Sequence, residues 1–435
     1  MPSSPASPSP INQALQPLPE AERSFGWRNH ASLWFSLGVG LLVMQVGSFL
    51  MPALGLPQAL LAIVGGSVIG AGLLAWTARI GCDSGLTSAG LMHATYGSAF
   101  ARLPIVLNIV QLIGWTTFEL VVMRDSSVAI ARQAGWLAAD GWTIAMTVFW
   151  GAVIVALLSG SMTRLVRRLI SRAVLPLVVL SLLWLSWHFI DRAQQIGLST
   201  LWERPGQGGL GVLPALDLVI AMPVSWLPLV ADFARHGRRP GEALTGTWTG
   251  YAVANIWCYL LGVMVALTLP SADLVNALLL AQGGLIALSL LLIDEVDNAY
   301  GDAYSGSVSA HSLQPRWSIR RWGIALAAAC TVLALFLPMH SLEPFLLTLS
   351  SVFVPLYGVI LGRLGFGGDA RQRLARPRRV DPSAVAIWVA GIALYHLTAR
   401  WAPDWGSALP TLAVTFVLAS LFRSPAGRAG VVAAR

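Results

Sequence analysis

Residues 294–305 read DEVDNAYGDAYS and follow an apolar run, 278–293, that has the composition of a membrane helix. Four carboxylates therefore arrive within nine residues. On a continuing helix, the acids, Asn298 and the small residues share one face of about 160°, and the opposite face is apolar. A carboxylate at the bilayer centre costs about 2.5–3.5 kcal/mol, so this face points at protein, water or cations. The sorting favours a lined pathway or cation site; the alternative is a helix end that emerges into a loop.

Composition indicates an all-α polytopic membrane protein. Of 435 residues, 56% are hydrophobic and 11% are charged, and the mean hydropathy is +0.68, whereas soluble domains carry about 25% charged residues. Apolar runs of about 18–25 residues alternate with short polar loops, as membrane helices require. The pattern predicts about twelve spans: 31–52, 57–79, 103–123, 141–159, 170–190, 212–233, 248–270, 274–300, 322–340, 342–362, 383–400 and 407–422.

The basic residues are all arginine, and their distribution predicts the topology. Without lysine, the chain has neither a P-loop lysine nor a Schiff-base lysine. With the N-terminus inside, 23 of the 28 arginines fall in cytoplasmic segments, as the positive-inside rule expects. We therefore predict a cell (inner) membrane protein with both termini cytoplasmic, and we read the net charge of +8 as a topology signal, not as nucleic-acid binding. The three cysteines are far apart in or near apolar segments and predict neither a disulfide nor a thiolate metal site.

The predicted domain organisation is a single transmembrane domain, 25–425, between a disordered N-terminal tail, 1–24, and a cytoplasmic tail, 426–435. Two spans interrupt the apolar pattern. Span one carries Gln45-Val46-Gly47-Ser48, where we expect unwinding, and span six carries two prolines within 222–228, which kink or split a helix. Interrupted membrane helices point to a transporter site. Their five-span separation fits two inverted repeats, at about 31–190 and 212–362, followed by two extra helices, 383–422.

Span three carries a second polar stripe. Asn108, Gln111, Trp115 and Glu119 fall within about 80° of one another on a helical wheel. An indole one turn before a carboxylate offers a stacking surface beside a hydrogen-bond acceptor, which suits a planar heterocycle with N–H donors. The alternative is a tryptophan at the membrane interface followed by a glutamate at a helix end.

With these features, the chain resembles the nucleobase–cation symporter-1 family, which includes bacterial cytosine permeases and hydantoin transporters. The resemblance covers residues 25–422. It rests on four segments: Gly26-Trp27-Arg28-Asn29-His30, residues 107–116 (LNIVQLIGWT), Ser225-Trp226, and Asp302-Ala303-Tyr304-Ser305-Gly306. It implies the LeuT-type fold, a five-plus-five inverted repeat with two additional C-terminal helices.

The resemblance also implies site residues. Trp115 and Trp226 match the tryptophans that contact the two faces of the substrate ring, and Glu119 sits where relatives often have a glutamine that bonds the ring. The remaining matches to substrate-binding positions are Ser225, Gln45, Asp302 and, with the register shifted by about one turn, Asn298.

The same matching implies a cation site. Asp297 falls where relatives carry a sodium-ligating threonine, with Asp294 nearby, and carbonyls around Leu41 and Met44 would complete the site. The chain departs from the family here, because several carboxylates replace neutral side chains. The extra acids suit a strongly held cation or proton coupling, since burial can shift a carboxyl group to titrate near neutral pH.

These observations predict a monomeric, non-enzymatic secondary transporter that imports a nucleobase-like substrate across the lipid bilayer by symport with Na⁺ or H⁺ and uses no other cofactor. Two carboxylates, at Glu119 and Asp302, favour a substrate rich in N–H donors, such as an aminopyrimidine or a purine. The alternatives are an importer of a hydroxymethylpyrimidine-type thiamine precursor or of a hydantoin, a membrane-embedded metal-dependent enzyme that uses the span-eight acids, and a passive channel.

Overall fold

The computed structural model describes residues 12–136, 141–160, 174–337, 341–367, 369–376 and 378–422, which are almost wholly helical. The α-helices of these residues are α1 Trp27–Ser36, α2 Leu41–Phe49, α3 Leu56–Ser84, α4 Ser88–Tyr96, α5 Arg102–Gln133, α6 Gly141–Leu158, α7 Leu175–Ile196, α8 Leu198–Glu203, α9 Val212–Ser225, α10 Leu227–Ala234, α11 Pro240–Thr268, α12 Leu274–Leu280, α13 Gly284–Leu313, α14 Ile319–Phe336, α15 Leu342–Leu364, α16 Ala370–Ala375, α17 Pro382–Trp401 and α18 Ala408–Leu421.

Each predicted span coincides with a helix or with a pair of helices. Within the described ranges, eight helices are long and apolar enough to cross a membrane when α9 and α10 are taken together, and the bent pair α1–α2 makes a ninth. The helices α6 and α18 are shorter but apolar, and α13 carries the acids. The all-α polytopic class is confirmed, and a total of twelve spans is consistent with these helices.

The break in span one lies earlier than predicted. The helices α1 and α2 meet at 61°, across residues 37–40, whereas the predicted site of unwinding, 45–48, is helical. Gly47 instead lets α2 pack against α11, because a Cβ there would lie 2.2 Å from the Tyr259 carbonyl. The break itself contains Gly38, whose Cβ would lie 2.9 Å from that of Ala254. The wrong glycine was assigned to the break because close packing and unwinding use the same residue type.

Span six is interrupted where the prolines predict. The helix α9 ends at Ser225, α10 begins at Leu227, and Trp226 lies between them. Because Pro223 has no N–H, the carbonyl of Val219 loses its helical partner, and the Tyr259 hydroxyl donates to it at 3.0 Å. The carbonyl left free by the break in span six thus receives a hydrogen bond from α11.

Span eight differs from the predicted single segment, 274–300. It consists of the short helix α12 and the 30-residue helix α13, separated at residues 281–283, where Gly283 adopts a left-handed φ of 72°. Since α13 continues to Leu313, the acids lie in the middle of a helix. The alternative of a helix end emerging into a loop is therefore wrong.

The predicted disordered tail is ordered from residue 12. Arg23 is buried and donates to the carbonyls of Cys82, at the end of α3, and Leu18. The Asn12 side chain donates to the Ser312 carbonyl at the end of α13. A tail rich in Ser and Pro gives no sign of such contacts, because they depend on distant helix ends that need partners. Residues 1–11 and the predicted C-terminal tail lie outside the described residues.

The packing places both interrupted helix pairs beside the acidic helix. The pair α1–α2 packs on α11, and α9 and α10 pack on α3. The helix α13 packs mainly on α5, with further contacts to α14 and α7. Residues of both breaks line one cavity together with residues from the middle of α5 and of α13.

Candidate functional site

A narrow cavity lies where the two breaks meet α5 and α13. It holds only about 20 Å³, which is room for about one water molecule and far below the range of about 300–1,000 Å³ typical of ligand sites. A substrate ring can therefore enter only when the lining side chains move apart. Its lining residues are Leu37, Val39, Gly40, Leu42, Val43, Trp115, Glu119, Met222, Ser225, Trp226, Asn298 and Asp302.

Six of the seven predicted substrate residues line this cavity: Trp115, Glu119, Ser225, Trp226, Asn298 and Asp302. Both Asn298 and Asp302 line the cavity, so the two alternative alignments of span eight, which assign the substrate-binding position to one or the other, do not exclude each other. The seventh residue, Gln45, lines a larger neighbouring cavity instead. Its position follows from the earlier break, which leaves Gln45 in the second turn of α2 rather than at an unwound segment.

The two indoles that line the cavity are turned inward and held by aromatic neighbours. Trp115 is 5% exposed and Trp226 is 8% exposed. The Phe345 ring packs edge-on against Trp115 with centroids 5.1 Å apart, and Trp34 packs edge-on against Trp226 at 6.0 Å. Such contacts restrict the rings and leave their remaining surfaces available to the cavity.

Glu295 organises the break in span one. Its carboxylate accepts from the N–H of Leu41, the first residue of α2, and from the Asn298 side chain at 3.1 Å. The same Asn298 amide donates to the Val39 carbonyl at 3.1 Å. Glu119, on α5, lines the cavity and lies within electrostatic range of Glu295. The backbone groups freed by the break are thus tied to α13.

Side chains of the polar stripe on α5 donate hydrogen bonds to backbone carbonyls at the break in span six. Asn108 donates to the Pro228 carbonyl at 3.1 Å, and Gln111 donates to the Ser225 carbonyl at 3.2 Å. Gln111 also donates to the Asn108 side chain. These two residues therefore support the break, and Trp115 and Glu119 of the same stripe face the cavity.

Several polar atoms at the cavity have no protein partner. Among the described residues, the Trp115 indole N–H, Glu119 Oε2 and Asn298 Oδ1 are buried without hydrogen bonds. Asp302 is 3% exposed and forms neither a hydrogen bond nor an ion pair with any described residue. Buried polar groups are nearly always paired, so these atoms mark where a ligand would bind.

The predicted cation residues are brought together only in part. Ser36, at the end of α1, donates to Asp294 at 2.8 Å and to Asp297 at 3.3 Å. Leu41 presents its N–H to Glu295, and the Met44 carbonyl lies against Gly262 of α11. Within the described residues, no three His, Cys, Asp or Glu side chains form a metal-binding group.

The larger cavity, of about 850 Å³, lies beside the narrow one. It is bounded by α2, the second half of α5, and α12, and Leu42 lines both cavities. Its polar lining includes Gln45, Asp125, Arg132 and Asp273.

Sequence reasoning named no role for Glu295 or Ser36. In the sequence, Glu295 is one of several neighbouring acids. It differs from them by its hydrogen bond to the backbone of Leu41, just after the break at residues 37–40. Ser36 precedes Leu37-Gly38-Val39-Gly40, and the two glycines were the available signal that the helix ends there.

Comparison with known proteins identifies the family. A family model described as a permease for cytosine/purines, uracil, thiamine and allantoin matches residues 17–422. The chain belongs to this family. Cytosine permease of Escherichia coli strain K12 is 23% identical over 369 residues, which cover 83% of this chain and 82% of that protein. Purine-uracil permease NCS1 of Arabidopsis thaliana is 21% identical over 81% of this chain and 63% of its own length.

Solved structures show the same fold. The chain aligns with Mhp1, a nucleobase-cation-symport-1 family transporter in a closed conformation with bromovinylhydantoin bound, at a TM-score of 0.79 and 17% identity, covering 96% of this chain and 95% of that one. It aligns with MhsT in complex with L-phenylalanine at a TM-score of 0.60 and 15% identity, covering 89% and 98%. The fold is the LeuT-type five-plus-five repeat with two additional helices. The chain is thus a multi-pass membrane transporter and not an enzyme.

Proposed function

We propose that this permease imports a nucleobase or a related planar N-heterocycle by symport with Na⁺ or H⁺. The supporting observation is the convergence of two inward-facing indoles with the acceptor groups of Glu119, Asn298 and Asp302 on one cavity. The cavity also lies between two interrupted helices, where transporters of this architecture hold polar substrates.

The substrate ring would bind between Trp115 and Trp226, with its polar edge toward α5 and α13. Stacking on an indole contributes without regard to ring substituents, whereas Glu119, Asp302 and Asn298 select N–H donors. The indoles would thus bind planar rings in general, and the polar side chains would discriminate among those rings.

The coupling ion would act at the junction of α1 and α13. We assign it to Asp294 and Asp297 with the Ser36 hydroxyl, because these groups share one hydrogen-bonding centre at the end of α1. An ion that binds there more tightly in one conformation shifts the transporter toward that conformation. Because Glu295 contacts both α2 and Asn298, such a shift reaches the substrate cavity directly.

Uptake into proteoliposomes with imposed Na⁺ or H⁺ gradients, against a panel of nucleobases, tests this function. We expect accumulation of at least one planar heterocycle that depends on one of the two gradients and yields chemically unchanged substrate. Hydroxymethylpyrimidine and a hydantoin belong in the panel, since preference for either would move the substrate assignment to that alternative on the same scaffold.

The site assignment is tested by Trp115→Ala and Glu119→Ala. Each removes a cavity-lining group, and we expect uptake to fall at least tenfold with normal membrane insertion. Trp187→Ala is the matched control, because Trp187 is 58% exposed on α7, outside the cavity. Near-normal uptake by both site variants would remove the site assignment.

We further propose that the permease works as a monomer in the cell membrane with both termini cytoplasmic. The arginine bias supports this orientation. It places the larger cavity on the extracytoplasmic side and residues 12–24 on the cytoplasmic side.

A further inference from the structure

The narrow cavity is surrounded by carboxyl groups and lacks a positive side chain. Asp302 lines it directly, and Glu119 lies within electrostatic range of Glu295, Asp302 and Asp294. Within the described residues, no arginine or histidine forms an ion pair with these four acids.

The buried arginines of the described chain are committed elsewhere. Arg23 bonds backbone carbonyls at the end of α3 and in residue 18, Arg124 bonds Asp125 and the Ala334 carbonyl, and Arg363 pairs with Asp381. None is available to neutralise the cavity without breaking contacts in another part of the structure.

Glu295 has hydrogen-bond donors, whereas Asp302 has none among the described residues. A carboxylate can only accept hydrogen bonds, and Glu295 accepts from the Leu41 N–H and the Asn298 amide. Ionisation of Asp302 without a partner is costly in a buried site, and a bound cation would offset that cost.

The unpaired side chains at the cavity are mostly acceptors. Glu119 Oε2 and Asn298 Oδ1 lack donors, and the Ser225 hydroxyl already donates to the Met222 carbonyl. The Trp115 indole N–H is a buried side-chain donor that also lacks a partner. The side chains thus suit an edge of N–H groups better than a carbonyl.

We propose, on the basis of the proposed function, that the substrate is a planar organic cation with an N–H-rich edge of the amidinium type. Its charge pairs with Asp302, and a second N–H bonds Glu119 or Asn298. The indoles of Trp115 and Trp226 add a cation–π attraction, which is stronger in a desolvated site. A cationic ring thereby satisfies the aromatic surfaces, the acceptors and the uncompensated carboxylate together.

Isothermal titration of the purified full-length permease with matched probes tests the proposal. Benzamidine carries a planar amidinium, and benzamide is its neutral counterpart; cytosine and uracil represent neutral nucleobases. We expect benzamidine to bind at least tenfold more tightly than benzamide. In Asp302→Asn benzamidine should lose at least tenfold more affinity than benzamide, so that the preference disappears. Asp404→Asn, an exposed acid after α17, should leave the preference intact.

The outcomes separate the charge proposal from the proposed function. If neutral nucleobases bind more tightly than benzamidine in the wild-type permease, the cation proposal is wrong, and import of a neutral nucleobase stands. An equal loss of both probes in Asp302→Asn would also overturn it. If no probe binds or enters proteoliposomes through folded wild-type protein, the proposed function fails with it. The wild-type ranking requires no variant, so misfolding of Asp302→Asn leaves the test decisive.

Discussion

At the scale of single residues, Glu295 connects the main parts of the site. It accepts from the first N–H of α2 and from the Asn298 amide, and it lies within electrostatic range of Glu119. It thereby connects an interrupted helix to the acidic helix. The negative charge also lies at the positive end of α2, where the helix dipole favours it.

Replacement of this carboxylate tests its connecting role. In Glu295→Gln, one acceptor oxygen remains for the Leu41 N–H and the Asn298 amide, so one buried donor loses its partner at a cost of about 1–3 kcal/mol. We expect a lower melting temperature and at least a tenfold loss of uptake. Glu343→Gln, an exposed glutamate on α15, is the control. A variant with unchanged uptake would show that Glu295 has no connecting role.

Helical spacing marks part of the cavity: Trp115 and Glu119 lie one turn apart on α5, and Asn298 and Asp302 share the acidic face of α13. Trp226, Ser225 and Gln45 were implied by the family resemblance, not by local pattern, and Gln45 lies at the neighbouring cavity. Glu295 is not distinguishable from the other acids by pattern, because its partner Leu41 comes from the break in span one.

At the scale of elements, the N-terminal segment forms hydrogen bonds with polar groups at helix ends that would otherwise lack protein partners. Arg23 covers the carbonyl of Cys82, and the Leu18 N–H donates to the Gly85 carbonyl at 2.9 Å. The Thr87 hydroxyl donates to Ala14, and Arg235 donates to Gln16. Residues 12–24 thus tie α3, α4 and α10 together on one side of the molecule.

Removal of Arg23 should loosen these helix ends. In Arg23→Ala, the Cys82 carbonyl at the end of α3 loses its donor, which costs about 1–3 kcal/mol when the group stays buried. We expect a lower melting temperature and faster proteolysis near residue 20. Arg28→Ala, an exposed arginine at the start of α1, should match the wild type. Equal stability of the two variants would contradict this role.

Helix lengths and interruptions were only partly predictable. Prolines locate the break in α9–α10 because they remove backbone donors wherever they occur. Glycines do not locate the break in α1–α2 so directly, since Gly38 within the break and Gly47 within α2 both pack closely on α11. The extension of α13 to Leu313 was missed because its polar residues resemble a loop when their partners are unknown.

At the scale of the whole molecule, the larger cavity lies next to the narrow one, and Leu42 lines both. Asn108 and Gln111, in the first half of α5, bridge to the broken helix, and residues 12–24 bond the ends of nearby helices. We propose that the larger cavity is the side from which the site opens.

Cysteine labelling tests which side is open. The native cysteines Cys82, Cys258 and Cys330 are buried and free, so a cysteine at position 45 is the accessible one. A membrane-impermeant maleimide added outside should label Gln45→Cys and should label it more slowly with bound substrate. Thr245→Cys, exposed near the start of α11, should remain unlabelled from outside. Labelling of position 245 alone would reverse the proposed orientation.

The most direct test of the central claim is an experimental structure of the permease with its transported substrate. We expect planar density in contact with the indoles of both Trp115 and Trp226, at about 3.5–4 Å between ring carbons. Its N–H edge should lie within hydrogen-bonding distance of Glu119 and Asp302. Substrate density confined to the larger cavity, with either indole out of contact, would contradict the account.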